Sequence, residues 1–212
     1  MSYTARLLAM SREEVLRGAG LALRNAEVLL RDGRRLTIEP RSLSSANALF
    51  QFAIEEVGKA VVLCEHYRNL CTGLPVDGDA LRSAFTDHKK KTWKALLVLE
   101  EVFKKAEGEY IAGSDIVEEL IDTMSRYERV RQQSLYVDID VDRFQAPIDV
   151  INLPIVQHTL LIANISFNFV NEYHMKLVDP DYTFLSRTSE RIRAAGGPIA
   201  PSSVLRGLRK PS

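Results

Sequence analysis

The chain has 212 residues, enough for one domain with a sizeable core, or for one domain and a tail. Its 28 Lys and Arg balance 28 Asp and Glu, so no overall field recruits nucleic acid or anionic membrane, and any RNA contact needs a local patch. The 46% hydrophobic and 26% charged shares are those of an ordinary soluble globular protein.

The N-terminus lacks the apolar core of a signal peptide, which points to the cytoplasm. Ser11-Arg12-Glu13-Glu14 has the form of a capping box, with Ser at the N-cap and Glu three residues later. Val15, Ala19, Ala22, Ala26 and Leu29 then keep a helical stripe while Arg17, Arg24 and Arg31 face out. Asp32-Gly33 is expected to end this first helix, and Arg34 to Arg41, with Pro40, to form an exposed turn.

The second predicted helix runs from about Leu43 to Leu70 and is apolar nearly all round, so it should be central. Its stripe is Leu43, Ala46, Phe50, Ala53, Val57, Val61 and Cys64, and a polar knot, Glu55-Glu56-Val57-Gly58-Lys59, interrupts it. Lys59 is four residues from Glu55 and three from Glu56, so one ammonium can serve both carboxylates. Buried charges need such partners, because desolvating a lone ion costs far more than a local pair returns. Gly58 costs about 1 kcal/mol against Ala in a helix interior, a sign that another backbone approaches there.

Cys64 and Cys71 lie seven apart on one helix, roughly 10 Å between Cα atoms and too far for a disulfide. With His66 they match no zinc pattern, and reduced thiols are expected. Thr72-Gly73-Leu74-Pro75 closes the helix. A third begins at Asp77 to Phe85 and continues through an inward stripe of Leu81, Phe85, His88, Thr92, Ala95, Leu99, Val102 and Ala106. Lys91 sits at the edge of that stripe, and Lys89 and Lys90 turn to solvent, where with Lys91 and Lys94 they could offer a phosphate patch. Gly108 and Gly113 bracket a loop, and Ser114-Asp115 starts a fourth helix reaching Tyr127 and Arg131.

Tyr136 to Asp142 alternates with period two and reads as an extended arm. Its Asp138, Asp140 and Asp142 lack the glycine and distal Glu of a calcium loop. A fifth helix follows Asn152-Leu153-Pro154 to about Val178. Within it the uncharged run Ile151 to Asn171 has membrane-like length, but Gln157, His158, Asn164, Asn168 and Asn171 are costly in hydrocarbon, so it reads as a buried core helix. The three Asn residues are expected to form a seam facing the knot. These elements give an all-α bundle of about five main helices over residues 1–180, followed at 181–212 by a short helix and a flexible basic tail.

Several chemistries are excluded by absent motifs: there is no Gly-rich phosphate loop, no His-Glu-x-x-His, no Gly-x-Ser-x-Gly, and no Glu-x-x-His pair of a di-iron bundle. No cofactor or metal is expected. What remains is Phe-Ala-Ile-Glu-Glu-Val-Gly-Lys at 52–59, His88-Lys89-Lys90-Lys91, and Leu135-Tyr136-Val137-Asp138. In these blocks, over roughly residues 10 to 178, the chain resembles the AbiV family of abortive-infection proteins, within the HEPN superfamily. The resemblance implies a HEPN-like helical bundle, a homodimer in the bacterial cytoplasm, that defends against phage by arresting translation or damaging RNA. The implied partners are a second copy and RNA or a phage protein, with neither DNA nor membrane.

HEPN ribonucleases carry an Arg, four to six residues, and then a His, and Arg82 and His88 are so spaced. Ser83 follows Arg82 where the family often has Asn, Asp or His, and the pair lies mid-chain, not near the last main helix. At the end of the fourth helix the comparable spacing runs from Arg131 to Tyr136, with Tyr in place of His. Metal-independent RNA cleavage needs a base near neutral pH for the 2′-hydroxyl, which suits His88, and a cation at the phosphate, which suits Arg82 or Arg131. On an unbroken helix Arg82 and His88 would point apart by about 120°. They converge only if Thr86 or Asp87 caps a new helix, or if a dimer mate supplies one of them. The candidate polar pocket thus gathers Glu55, Glu56, Lys59, Lys91, Arg131 and Tyr136 around Arg82 and His88. The alternatives are a core His88 bonded to Glu55 or Glu56, a knot that only fixes helix register, and a non-enzymatic module that binds a phage or ribosomal partner.

Overall fold

In the computed structural model, which describes residues 2–107, 127–136, 138–140 and 143–179, the central element is α3, Leu43–Thr72. It is buried on nearly every side from Ala46 to Cys64, because few of its residues in that stretch are charged and most of the rest are apolar or small. Three long helices enclose it: α2 (Arg12–Leu36), α5 (His88–Glu107) and α8 (Leu153–Val178). The main core joins Leu23, Leu30, Phe50, Ile54, Val57, Leu96, Val156, Ile162 and Val170. Short elements complete the all-α bundle: α1 (Tyr3–Leu8), a 3-10 turn at Pro40–Ser42, α4 (Gly78–Thr86), the helical segment α6 (127–135) and α7 (Pro147–Val150).

The helix ends follow from their capping chemistry. Ser11 Oγ accepts the Glu14 amide at 3.2 Å, as the capping-box spacing requires, although Glu14 turns its carboxylate to Arg17 at 3.1 Å. Gly73 takes the left-handed conformation, φ 70°, that ends α3. Asn152 Oδ1 accepts from the Ile155 amide and opens α8, with Pro154 in its first turn. The predicted extended arm is half of an antiparallel ribbon, β1 (Asp138–Asp140) with β2 (Arg143–Gln145), in which Ile139 faces Phe144.

Several boundaries differ from the sequence expectation. Helix α2 does not end at Asp32-Gly33 but continues to Leu36, and Leu30 is buried in the core while Leu29 packs against it half-buried. Gly33 stays helical because the Phe50 ring lies against it; a Cβ there would be 2.4 Å from the ring. The expected third helix is two helices, since Asp87 breaks it with extended backbone, φ −80° and ψ 122°. Helix α1, capped by Ser2 Oγ, was not expected; it packs Leu7 with Val62 and Leu81. The loop between Gly108 and Gly113, the start of the fourth helix, and everything expected beyond Pro180 lie outside the described residues.

Helix α8 is long and apolar enough to cross a membrane by length and composition, with mean hydropathy 1.3. A third of that stretch is buried in the protein, as one face formed by Val156, Thr159, Ile162, Ala163, Ser166 and Val170 against α3 and its neighbours. Its Asn residues do not form a seam toward the knot: Asn164 accepts a hydrogen bond from Arg34 of α2, and Asn168 is exposed. Both cysteines are free, Cys64 buried and Cys71 exposed, and burial pushes the Cys64 thiol up to about 12.

At Gly58 the backbones of α3 and α5 come into direct contact. A Cβ built there would sit 1.9 Å from the Lys91 carbonyl oxygen of α5, so only glycine lets the two backbones meet. Gly58→Ala is therefore expected to lower stability by about 1–3 kcal/mol through forced separation of α3 and α5, read as a lower urea midpoint with unchanged slope. His66 is buried near Leu7, and burial holds its pKa below the ordinary value. An unfolded His takes up its proton near pH 6.5 while the folded one resists it, so this contribution is lost as pH falls below about 6.5. Between pH 7.5 and 5.5 the urea midpoint of the native chain should fall further than that of His66→Leu; equal falls would refute this account.

Candidate active site

The close passage of α5 over Gly58 decides what reaches the knot. Asp87 Oδ1 accepts the amides of Lys89 (2.8 Å) and Lys90 (3.3 Å), so it caps α5 and places His88 in its first turn. One turn on, Lys91 faces α3. Both side chains converge on Glu55: His88 Nδ1 lies 2.6 Å and Lys91 Nζ 3.1 Å from the same oxygen, Oε2. Glu55 and Lys91 are buried, with side chains 5% and 6% exposed, whereas the His88 side chain is 55% exposed.

This arrangement corrects parts of the sequence reading. His88 does bond Glu55, but it is no core histidine; the break at Asp87 lifts it to the rim. Lys59 does not serve both carboxylates. It pairs with Glu56 alone, because neighbouring helical residues point about 100° apart and Glu56 faces away from Glu55. Lys94 is tied to Glu65 at 2.6 Å and Lys91 to Glu55, so of the four lysines only Lys89 and Lys90 remain for an anion. Lys90 reaches Ser83 Oγ at 2.5 Å, which ties the start of α5 to α4 beside Arg82. Arg82 is exposed and makes no side-chain hydrogen bond or ion pair among the described residues. Helix α4 thus does end before His88, as convergence requires, but no contact joins Arg82 to His88.

Arg131 approaches from α6. It donates to Glu128 at 2.9 and 3.2 Å, and this bidentate pair holds the Glu128 carboxyl below the usual range. The same pair, with a smaller contribution from the Glu55 charge, holds the Arg131 guanidinium above its ordinary value. Tyr136 is exposed and does not close the pocket. Of the predicted pocket, Glu55, Lys91 and His88 meet, Arg131 stands within electrostatic reach, and Glu56, Lys59 and Tyr136 do not join.

Other polar residues of the site escaped the sequence reading. Asn47, Gln51 and Glu55 recur every four residues and form one buried polar row on α3. Asn47 Nδ2 donates to Ser134 Oγ of α6 at 2.8 Å, and Glu55 bonds α5. Gln51, between them, lines a cavity of about 110 Å³ with Ile54, Lys89, Thr92, Tyr127, Glu128 and Arg131. The i, i+4 recurrence was the signal that could have revealed this row. Among the described residues no group of three His, Cys, Asp or Glu side chains could hold a metal ion.

A family model of the HEPN domain of AbiV matches residues 14–167, a span that contains Glu55, Arg82, His88, Lys91 and Arg131. The chain belongs to the AbiV family. Its bundle is thereby a HEPN-type fold, and the family places it in abortive infection, a bacterial defence against phage. No curated protein and no solved structure matches it.

The buried Glu55–Lys91 pair of this AbiV protein should be costly to break and cheap to replace. Lys91→Met, which strands the carboxylate, is expected to cost about 3–5 kcal/mol, whereas Glu55→Leu with Lys91→Met should recover most of that loss. Chemical denaturation of the two single variants and the double one measures the coupling. An additive double variant would show that the pair is not an interacting unit.

Proposed function

We propose that this AbiV protein acts in the cytoplasm, as a homodimer, by cutting RNA and so arresting translation in the infected cell. The observation that carries the reading is the 2.6 Å bond between the exposed His88 ring and the buried Glu55 carboxylate. A carboxylate that accepts from Nδ1–H fixes the imidazole tautomer and leaves Nε2 as the basic nitrogen. Nε2 has no partner among the described residues.

In this reading Nε2 takes the proton of a ribose 2′-hydroxyl, and the freed oxygen attacks the adjacent phosphorus. The P–O5′ bond breaks and the departing 5′-oxygen takes a proton from water, leaving a 2′,3′-cyclic phosphate and a 5′-hydroxyl, while His88 returns its proton to the solvent. Negative charge on the phosphorane is met by Arg82, which is exposed and uncommitted, from the same chain or from the second protomer. Lys89 and Lys90 hold the strand. Glu55 orients His88, and Lys91 holds that carboxylate in place; neither touches substrate. Arg131 is committed to Glu128 and is the weaker candidate for the phosphate.

A second reading has an observation of its own. Glu55 is bonded to a buried Lys as well as to His88, the pattern of a network that sets the α3–α5 packing. On that reading the bundle is a binding module for a phage or ribosomal protein. Purified protein incubated with total RNA, with and without EDTA, separates the two. Cleavage that survives EDTA and falls at least about 100-fold in His88→Ala supports the nuclease. Glu55→Gln, which keeps the bond but not the charge, should fall less. Intact RNA, together with phage protection unaltered by His88→Ala and Arg82→Ala, would establish the binder instead.

A further inference from the structure

The cavity between α3, α5 and α6 is unused by the chemistry just described, yet it adjoins it: Lys89 follows His88 in the chain, and Gln51 lies one turn before Glu55. Its floor is largely apolar, from Ile54 and the Tyr127 ring, and both residues are buried. Gln51 is 4% exposed, and its amide nitrogen is buried with no hydrogen-bond partner among the described residues. A buried N–H donor left unpaired costs stability, so an amide kept in that state at the wall of a cavity is poised for an acceptor brought by a ligand. Lys89 and Arg131 also line the cavity, against the single carboxylate of Glu128, which Arg131 already occupies.

These features select the ligand. The Tyr127 ring and Ile54 offer a planar ring a surface to stack on, the unpaired amide N–H takes a ring carbonyl or ring nitrogen, and the exposed lysine at the start of α5 takes a phosphate. Size narrows the ring further. A cavity of roughly 150 Å³ holds a benzene molecule, so the 110 Å³ here takes the leading edge of one six-membered ring while the rest stays at the open mouth, and a fused purine would leave more of its ring system outside. We propose that this cavity is a base pocket that receives one pyrimidine of a single-stranded RNA, read by the Gln51 amide, so that the neighbouring ribose lies at His88. This rests on the RNA reading above and adds a sequence preference to it: cleavage beside pyrimidines.

The test uses fluorescein-labelled oligouridylate, oligocytidylate and oligoadenylate of equal length, with anisotropy read on the full-length His88→Ala protein so that no strand is cut. The expected result is binding of the pyrimidine strands about tenfold or more tighter than oligoadenylate. Gln51→Met, which keeps the volume and removes the donor, should bring the pyrimidine strands down to the oligoadenylate affinity. Thr92→Leu, which fills the cavity from the half-buried wall of α5, should do the same without touching the amide. Circular dichroism of each variant confirms that the bundle is folded. Equal affinity for all strands, or a preference retained in both variants, overturns the base pocket while leaving RNA binding intact. Failure to bind any strand overturns the RNA reading and the pocket with it.

Discussion

The site depends on one contact, the seating of the Lys91 carbonyl on Gly58. Two helices ordinarily pack with their axes 8–10 Å apart, held off by side chains. Removing the side chain at a single position of α3 lets the α5 backbone drop into the gap, and the side chains of Lys91 itself and of His88, one turn before it, then reach α3. Lys91 is delivered to Glu55 from inside the interface and His88 from its rim. The glycine therefore does more than tolerate close packing. It sets the register in which a carboxylate in the core can be met by two groups from the next helix.

The shared oxygen has a chemical consequence. Glu55 Oε2 takes both Lys91 and His88, and Lys91, almost wholly buried, already neutralises the carboxylate. The bond from His88 is thus not needed to balance charge, and a neutral imidazole can make it through Nδ1–H. A histidine used as a base must be neutral at the start of the reaction and correctly oriented, and this geometry allows both. The second oxygen of Glu55, Oε1, is buried without a partner among the described residues, so the network is not as fully satisfied as a purely structural one tends to be.

Much of the architecture was legible because it depends on local rules. Ser11, Gly73 and Asn152 mark helix ends through caps whose chemistry is written in a few adjacent residues, and the apolar surround of α3 marks it as central. Gly58 was readable for the same reason: its cost inside a helix needs a compensating contact. What was not legible depends on partners distant in sequence. Gly33 looks like a helix stop until Phe50 is seen to occupy the space of its missing side chain. Asp87 could be named only as one of two possible caps, because the apolar stripe runs through it almost in phase and a capped break resembles one continuous helix. Six-residue α1 is too short for periodicity to register. In the candidate site Glu55, His88 and Lys91 were found from charge in an apolar context. The assignment of Lys59 to both carboxylates failed because spacing along a helix gives proximity but not direction.

The polar row of α3 was overlooked for a related reason. Asn47 and Gln51 are uncharged, so alone they look like ordinary interruptions of a helix, and only with Glu55 do they form a line. Among the described residues each member of the line keeps one buried atom unpaired: Asn47 Oδ1, Gln51 Nε2 and Glu55 Oε1. Asn47 is nevertheless bonded to Ser134 and ties α6 down, and Glu55 is held by two groups of α5, whereas Gln51, between them, lines the cavity. If the row served only to fix helix register, its middle member would be the easiest to replace, since a leucine would fill the same space without a stranded donor. The outer two anchor the walls and the middle one faces the space between them, which is the construction of a pocket with a fixed frame and one free reader.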